Sequence, residues 1–489
     1  MKDVSTESLK DRAITSFVWN FLEKAGSQGI ALIIQIVLAR LLSPNDFGIM
    51  AIMVVFVNIG NVFVQSGLNT AIIQKKDLSE LDIDTAFWLS FATASILYCA
   101  LFFSAPLISS FYSMDALITP LRVLCLIFIF NSIYAIQVAI VTRELDFKRI
   151  FKANLIAMLL SGAAGIAIAV LGYGVWGLVT QQVVFSIAGS IAISFETRWF
   201  PKLQFSFSEA KALYSFGWKL LASGLIETTY QSLSDLIVGK KYNSSALGYF
   251  NQGKKYPMVL GTVLDSTIQP IMLSTVSRVQ SDIEKVKGIV RRSLKSSAYV
   301  IFPLMVFCAV VAEPLIRFVL GEQWVGSAPY FRAFCIVYAL LPIHSTNLQA
   351  LNGIGHTDIY LKLEILKKVI GTAILLIATF FTSDIKFICY GYILDGLIST
   401  FLNAFPNKKL IHYSYLEQMR DLAPTIFATL TSALFSLAAT VVMDESTIAC
   451  AAIQFILMLA AYIAQSIIFK NDAFTYLQNE LMSRFLKHA

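Results

Sequence analysis

The sequence predicts an all-α polytopic membrane protein: about fourteen transmembrane helices, arranged as two pseudo-symmetric six-helix lobes plus a C-terminal helix pair. Three observations carry this expectation. The 489 residues are 57% apolar and only 14% charged, whereas a soluble domain carries roughly 25% charged residues. Apolar windows of about 20 residues, the length that crosses a bilayer, recur along the chain between short polar punctuations. A local pattern at the first window also returns about 200 residues later. The same composition excludes a disordered chain, a collagen-like chain and a disulfide-rich secreted module.

In order, the windows fall near 14–38, 46–66, 84–108, 117–141, 152–172 and 175–195, then 212–238, 246–273, 296–320, 328–351, 362–382, 386–405, 423–443 and 447–469. The N-terminal stretch MKDVSTESLKDRAIT mixes acidic with basic residues and precedes no small-residue cleavage site, so the first window is expected to stay as a span. Six cysteines stand singly inside apolar stretches, at no metal-ligand or redox spacing, and read as small membrane-core hydrophobes. Lys and Arg gather in the loops on the N-terminal side, among them Lys75, Lys76, Arg143, Arg149, Arg278, Arg291 and Arg292. The opposite loops hold only Arg40, Lys240, Lys241, Arg317 and Lys386. By the positive-inside bias both termini are cytoplasmic, as an even number of spans requires.

The repeat joins Ser16-Phe17-Val18-Trp19, at the first span, to Ser215-Phe216-Gly217-Trp218, at the seventh. A span and a turn follow each: Leu42-Ser43-Pro44-Asn45-Asp46-Phe47-Gly48 in one case, Tyr242-Asn243-Ser244-Ser245-Ala246-Leu247-Gly248 in the other. Trp to Gly is 29 residues in the first copy and 30 in the second. A six-span unit returns the chain to its starting side, so the copies run parallel, related by an axis along the membrane normal. The expected domains are residues 1–200 (spans one to six), 201–415 (spans seven to twelve), 416–470 (the last pair) and 471–489, a cytoplasmic tail.

Soluble-enzyme chemistry finds no support. Gly172-Tyr173-Gly174-Val175-Trp176-Gly177 has the spacing of a dinucleotide loop without the preceding strand or the distant acid. It reads as an outer turn between spans five and six. His344, His356, His412 and His488 are scattered, and no nucleophile and base stand together. What remains is polar and charged residues inside apolar spans, which are costly in hydrocarbon and usually face a cavity or a partner. In span one, Asn20, Lys24, Ser27 and Gln35 share a face within about 80°. Lys24 lies twelve residues beyond Arg12, roughly 18 Å deep. In span two, Asn58, Asn61 and Gln65 occupy one face, suited equally to a cavity wall and to hydrogen bonding between helices. Span seven aligns Glu227, Gln231, Ser234 and Asp235; span eight aligns Asn251, Lys255, Thr262, Asp265 and Gln269, with Lys254 alongside. Lysines at mid-depth in both lobes suit an anion, since an ammonium serves phosphate without demanding one fixed geometry. The acids Glu227, Asp235 and Asp265 are candidates for ion coupling, or else pair with these lysines to steady the bundle.

The stretch Leu42–Gly48, then Ser66-Gly67-Leu68-Asn69-Thr70-Ala71-Ile72-Ile73-Gln74-Lys75-Lys76, Asp84-Thr85-Ala86-Phe87-Trp88 and Arg143-Glu144-Leu145-Asp146-Phe147-Lys148 resembles the polysaccharide-transport family. These are the Wzx-type flippases of lipid-linked oligosaccharides, most similar here to colanic and teichuronic acid exporters, in the multidrug/oligosaccharidyl-lipid/polysaccharide exporter superfamily. The resemblance implies alternating access that moves undecaprenyl-pyrophosphate-linked repeat units from the cytoplasmic to the periplasmic leaflet. It also implies a basic central cavity flanked by helices one, two, seven and eight, where Lys24, Lys254 and Lys255 supply cations and Asn58, Asn61, Gln65 and Asn251 supply polar lining. From related lipid II flippases, whose sodium site lies in the C-terminal lobe, Asp235 and Asp395 carry over as ion-coupling positions. The protein is then expected to be no enzyme, to need no cofactor beyond Na+ or H+ coupling, and to sit in the bacterial inner membrane. Its expected partners are the lipid-linked substrate, membrane lipid and polysaccharide polymerase machinery, not nucleic acid. The rival reading is a cation-coupled multidrug exporter on the same fold; an organic-cation cargo prefers an acidic, aromatic cavity, whereas midplane lysines favour an anion.

Overall fold

The computed structural model describes residues 26–65, 67–382, 384–443, 447–476 and 478–479. These hold helices and turns and no strand. In chain order the helices are α1 Gly26–Leu41, α2 Pro44–Gln65, α3 Leu68–Gln74, α4 Glu80–Tyr112, α5 Ile118–Leu124, α6 Ile127–Arg143, α7 Phe147–Val170, α8 Trp176–Thr197 and α9 Phe207–Lys241. There follow α10 Ser244–Arg278, α11 Ile283–Val310, α12 Ala312–Val319, α13 Ala328–Ala339, α14 Leu341–Gly353, α15 Thr357–Phe381, α16 Lys386–Leu410, α17 Tyr415–Ser436, α18 Ala439–Val442 and α19 Ile448–Ile468. Every predicted window overlaps described helix. Among the described residues eleven helical stretches are long and apolar enough to cross a membrane, and the protein is a multi-pass, all-α membrane protein. α9 carries Glu209, Lys211, Lys219, Glu227 and Asp235, and the apolar run of α15 is interrupted by Glu364, Lys367 and Lys368, so neither is among the eleven.

Local chemistry sets the helix ends. Ser79 caps α4 and Ser414 caps α17, each in a reciprocal capping box, with Asp82 and Glu417 respectively; Ser206 and Asp282 accept from the third residue of α9 and α11. Such side chains satisfy amide groups that have no partner within the helix. Four predicted windows are each divided in the structure. The fourth is split at Cys125–Leu126 into α5 and α6, the ninth at Val311, where the short α12 begins, the tenth at Leu340 between α13 and α14, and the thirteenth at Leu437–Ala438 between α17 and α18. Periodicity of apolar residues is blind to these breaks, because the residues on both sides are apolar. The Gly172–Gly177 segment is the turn between α7 and α8, with positive φ at Gly172 and Gly174.

The chain forms two compact units, Met1–Gly248 and Tyr249–Ala489. α9 falls in the first because it packs on α2, α3 and α4. The two sequence-related turns meet within this unit. A Cβ added at Gly48 would run into the carbonyl of Ser244, and one at Gly248 into the carbonyl of Pro44. Pro44 and Ser244 hold equivalent places in the repeat, so the two turns exchange the same backbone approach, which only glycine permits.

Candidate functional site

The motif residues of the first unit converge on the end of the bundle that carries the positive loops. Leu68, Ala71 and Ile72 of α3 pack on Ala86 and Phe87 of α4, on Ile136 and Ala139 of α6 and on Leu213 of α9. Arg143, at the end of α6, donates to the carbonyls of Ile72 (2.9 Å), Ile73 (3.2 Å), Lys75 and Lys76 (2.9 Å). One planar guanidinium therefore closes the turn after α3, matching its fan of donors to carbonyls that the helix end leaves unbonded. The Lys75 ammonium lies 2.8 Å from both Asp82 and Glu209. Hydrogen bonds to these two carboxylates, Asp82 first, hold it above its ordinary lysine range. Asp84 accepts from the Lys202 amide at 3.1 Å, and Trp88 donates to the Lys202 carbonyl at 2.8 Å, stitching α4 to the strap that leads into α9. Here the resemblance-bearing residues are scaffold: they fix where α3, α4, α6 and α9 meet.

Asn58, Asn61 and Gln65 line a cavity of about 240 Å³ inside the first unit, with Asn131 of α6 and Gln182 and Ser186 of α8 opposite. Asn131 donates to Asn61 at 2.9 Å, and Ser186 donates to Asn131 at 2.7 Å. Both readings of this amide face thus apply at once, because Asn61 is bonded across the helices while Asn58 is exposed to the cavity. Asn131, Gln182 and Ser186 escape sequence reasoning; they are lone polar residues whose common target emerges only when α6 and α8 pack. On the first span, Gln35 donates to Gln181 at 3.2 Å. Lys24, with Asn20 and Glu23, lies outside the described residues. On α9, Glu227 is exposed and accepts from Gln231 at 2.7 Å, and Asp235 is partly buried beside Ser234.

In the second unit α10 presents Asn251, Lys254 and Lys255, all partly buried. The Lys254 ammonium stands 5.6 Å from the ring centre of Tyr392 and 6.0 Å from that of Phe334, within cation–π range. Asp265 is 7% exposed and accepts from Gln269 at 2.6 Å, and its other oxygen is buried without a hydrogen-bond partner. Among the described residues the partner shown for Asp265 is that amide. One oxygen of Asp395 is likewise buried and unbonded. Nearby in sequence runs a seam that the sequence reading missed. Asn347 exchanges hydrogen bonds with Gln418 (2.8 and 2.9 Å), Asn407 donates to Asn347 (2.7 Å), and Asn403 meets the His344 ring (3.1 Å). Asn347, Asn403, Asn407 and Gln418 are fully buried. Its visible signal is Asn403 and Asn407 at i, i+4 in an apolar helix, one face of α16.

A family model described as "Polysaccharide biosynthesis protein" matches residues 37–329, more than half of the chain. The chain belongs to that family. Its relatives include the lipopolysaccharide biosynthesis protein WzxC of Escherichia coli (strain K12), 23% identical over 443 residues, 89% of each chain. The succinoglycan biosynthesis transport protein ExoT of Rhizobium meliloti is 23% identical over 72% of this chain and 71% of its own. The teichuronic acid biosynthesis protein TuaB of Bacillus subtilis is 26% identical over 61% of this chain and 62% of its own. In fold the chain is similar to the lipid II flippase MurJ in an inward closed conformation, with a TM-score of 0.75, 14% identity, and coverage of 94% of this chain and 100% of that one. An inward-facing multidrug resistance transporter of the MATE family follows at TM-score 0.59, 17% identity, 79% of this chain and 96% of that one. The stretch matched by the polysaccharide biosynthesis family holds the Arg143 turn, the amide-lined cavity, Lys254, Lys255 and Asp265. Asp395 and the seam lie beyond it.

Proposed function

We propose that this member of the polysaccharide biosynthesis family flips undecaprenyl-pyrophosphate-linked oligosaccharide repeat units from the cytoplasmic to the periplasmic leaflet by alternating access. The observation that carries the reading is the pair Lys254 and Lys255, cations set ten and eleven residues into an apolar 35-residue helix in a chain whose relatives are named for polysaccharide biosynthesis and transport. A lipid pyrophosphate and its sugars lose their hydration in hydrocarbon. Ammonium groups replace it for the phosphates and amide groups such as Asn251 replace it for hydroxyls, while the prenyl tail stays in lipid. Charge held inside a membrane helix is costly unless it has work to do there. The sign of that charge favours an anionic lipid over the organic cations of a multidrug exporter, the second reading this fold allows.

Fourteen spans with both termini in the cytoplasm, coupling to Na+ or H+ through Asp235, Glu227, Asp265 or Asp395, and contact with a polysaccharide polymerase complete the proposal. Lys254→Gln and Lys255→Gln, expressed in a deletion strain, are expected to leave membrane level unchanged and to lower export of lipid-linked repeats on the order of a hundredfold. Repeat units should then accumulate on the cytoplasmic side. Normal export by both variants, or altered drug sensitivity with normal export in the deletion strain, overturns the reading. For orientation, cysteines at Ser281 and Ser113, both exposed, should be labelled in cysteine-free protein from the cytoplasmic and outer side respectively.

A further inference from the structure

α11 brings five cations to its N-terminal half: Lys285, Lys287, Arg291, Arg292 and Lys295. Four are matched by carboxylates, with Lys285 on Asp282 (2.9 Å), Lys287 on Glu417 (3.4 Å), Arg291 on Asp421 (2.5 Å) and Lys295 on Asp472 (2.6 Å). Arg292 makes no ion pair among the described residues. Its guanidinium lies 5.1 Å from the ring centre of Tyr476, within cation–π range.

Arg292 lines a cleft of about 560 Å³ between α10 and α11. Most of the wall is apolar, with Leu264, Ile268 and Ile271 on α10 and Val300 on α11, and Thr267 and Thr275 of α10 add hydroxyls. Ile271 and Val300 are 60% and 44% exposed. Val300 is eight residues beyond Arg292, roughly 12 Å further along the helix. Between them Ser293 and Ser296 add hydroxyls, and the Ser296 Oγ is buried with no hydrogen-bond partner. A guanidinium and an unsatisfied hydroxyl thus line a slot whose walls are mostly apolar.

We propose that this cleft binds an anionic phospholipid, its phosphodiester accepting from Arg292 and the Ser296 hydroxyl and one acyl chain lying over Leu264, Ile268 and Val300. Charge complementarity selects this occupant. A single cation with no ion pair among the described residues matches a singly charged phosphodiester, whereas a pyrophosphate calls for more than one. Basic pockets between membrane helices take anionic headgroups in this way. The proposal is independent of what the protein transports.

The test is native mass spectrometry of the delipidated full-length protein titrated with phosphatidylglycerol, phosphatidylcholine and undecaprenyl pyrophosphate, with circular dichroism on every variant. Phosphatidylglycerol is expected to bind more tightly than phosphatidylcholine. Arg292→Gln should weaken it on the order of tenfold to a hundredfold, and Lys285→Gln, which removes the same charge from the same helix, should not. Ile271→Trp, which fills the slot and keeps the arginine, should also displace the lipid, and it decides the question if Arg292→Gln fails to fold. Equal loss in Arg292→Gln and Lys285→Gln, equal affinity for phosphatidylcholine, undiminished binding to Ile271→Trp, or displacement of phosphatidylglycerol by equimolar undecaprenyl pyrophosphate overturns the proposal.

Discussion

The cavity of α2, α6 and α8 in the first unit and the seam of α14, α16 and α17 in the second are made largely of the same residue type. Around the cavity, Asn58, Asn61, Gln65, Asn131 and Gln182 face an open volume of about 240 Å³. Along the seam, Asn347, Asn407 and Gln418 are fully buried and bonded to one another. What differs is the residue opposite. Ser186 and Gly189 on α8 line the cavity with short side chains, whereas Gln418 on α17 reaches Asn347 directly. An amide on a membrane helix therefore says only that a polar partner exists; the bulk of the facing residue decides whether open volume is left beside it.

The sharpest way to break this comparison is to remove one amide from each place. Asn347→Leu strands Gln418 and Asn407 where water cannot reach them, and should cost about 2–4 kcal/mol, read as an early loss of folded protein on heating in detergent. Asn61→Leu frees Asn131 beside a cavity that water can enter, and should cost about 1 kcal/mol or less while export falls severalfold. Equal destabilisation by the two erases the distinction.

Next in size is Arg143→Gln, which removes up to four charged hydrogen bonds from the turn after α3 and should cost about 2 kcal/mol in the same melt. The smallest effect belongs to Glu209→Gln. It removes a partly exposed partner of Lys75, worth under about 1 kcal/mol. Because the folded-state pKa of Lys75 is raised, the contribution is complete below the ordinary lysine range and is lost as pH rises through the raised value. The gap between wild type and variant should be present at pH 7 and close at strongly alkaline pH. A gap that widens with pH would mean the sign is wrong.

The sequence made the spans legible because a bilayer imposes a length and a polarity on each helix, and those survive in any order of packing. The breaks at Cys125, Val311, Leu340 and Leu437 leave no mark in it, since a kink between two apolar segments brings no change in hydropathy. Asn58, Asn61 and Gln65 were found because three amides fall on one helix face, whereas their partners Asn131, Gln182 and Ser186 belong to two other helices and show no pattern alone. The resemblance-bearing residues Lys75, Asp84, Trp88 and Arg143 stood out early, yet their task of pinning four helix ends could not be read from spacing, because Arg143 acts on backbone carbonyls 67 to 71 residues away.

The reciprocal approach of Gly48 to Ser244 and Gly248 to Pro44 bears on biogenesis. Its second half is not translated until some two hundred codons after its first. The turn at Pro44–Gly48 must therefore wait in the translocon's vicinity, its backbone uncovered, until the ribosome has passed residue 248. A gene cut between the codons for residues 200 and 201 would release a fragment lacking both α9 and the second turn, and quality-control proteases should find it. A cut after codon 280, in the turn that follows α10, keeps that contact and the whole of α10 in one piece, and the two pieces, co-expressed, are the pair to try for functional complementation.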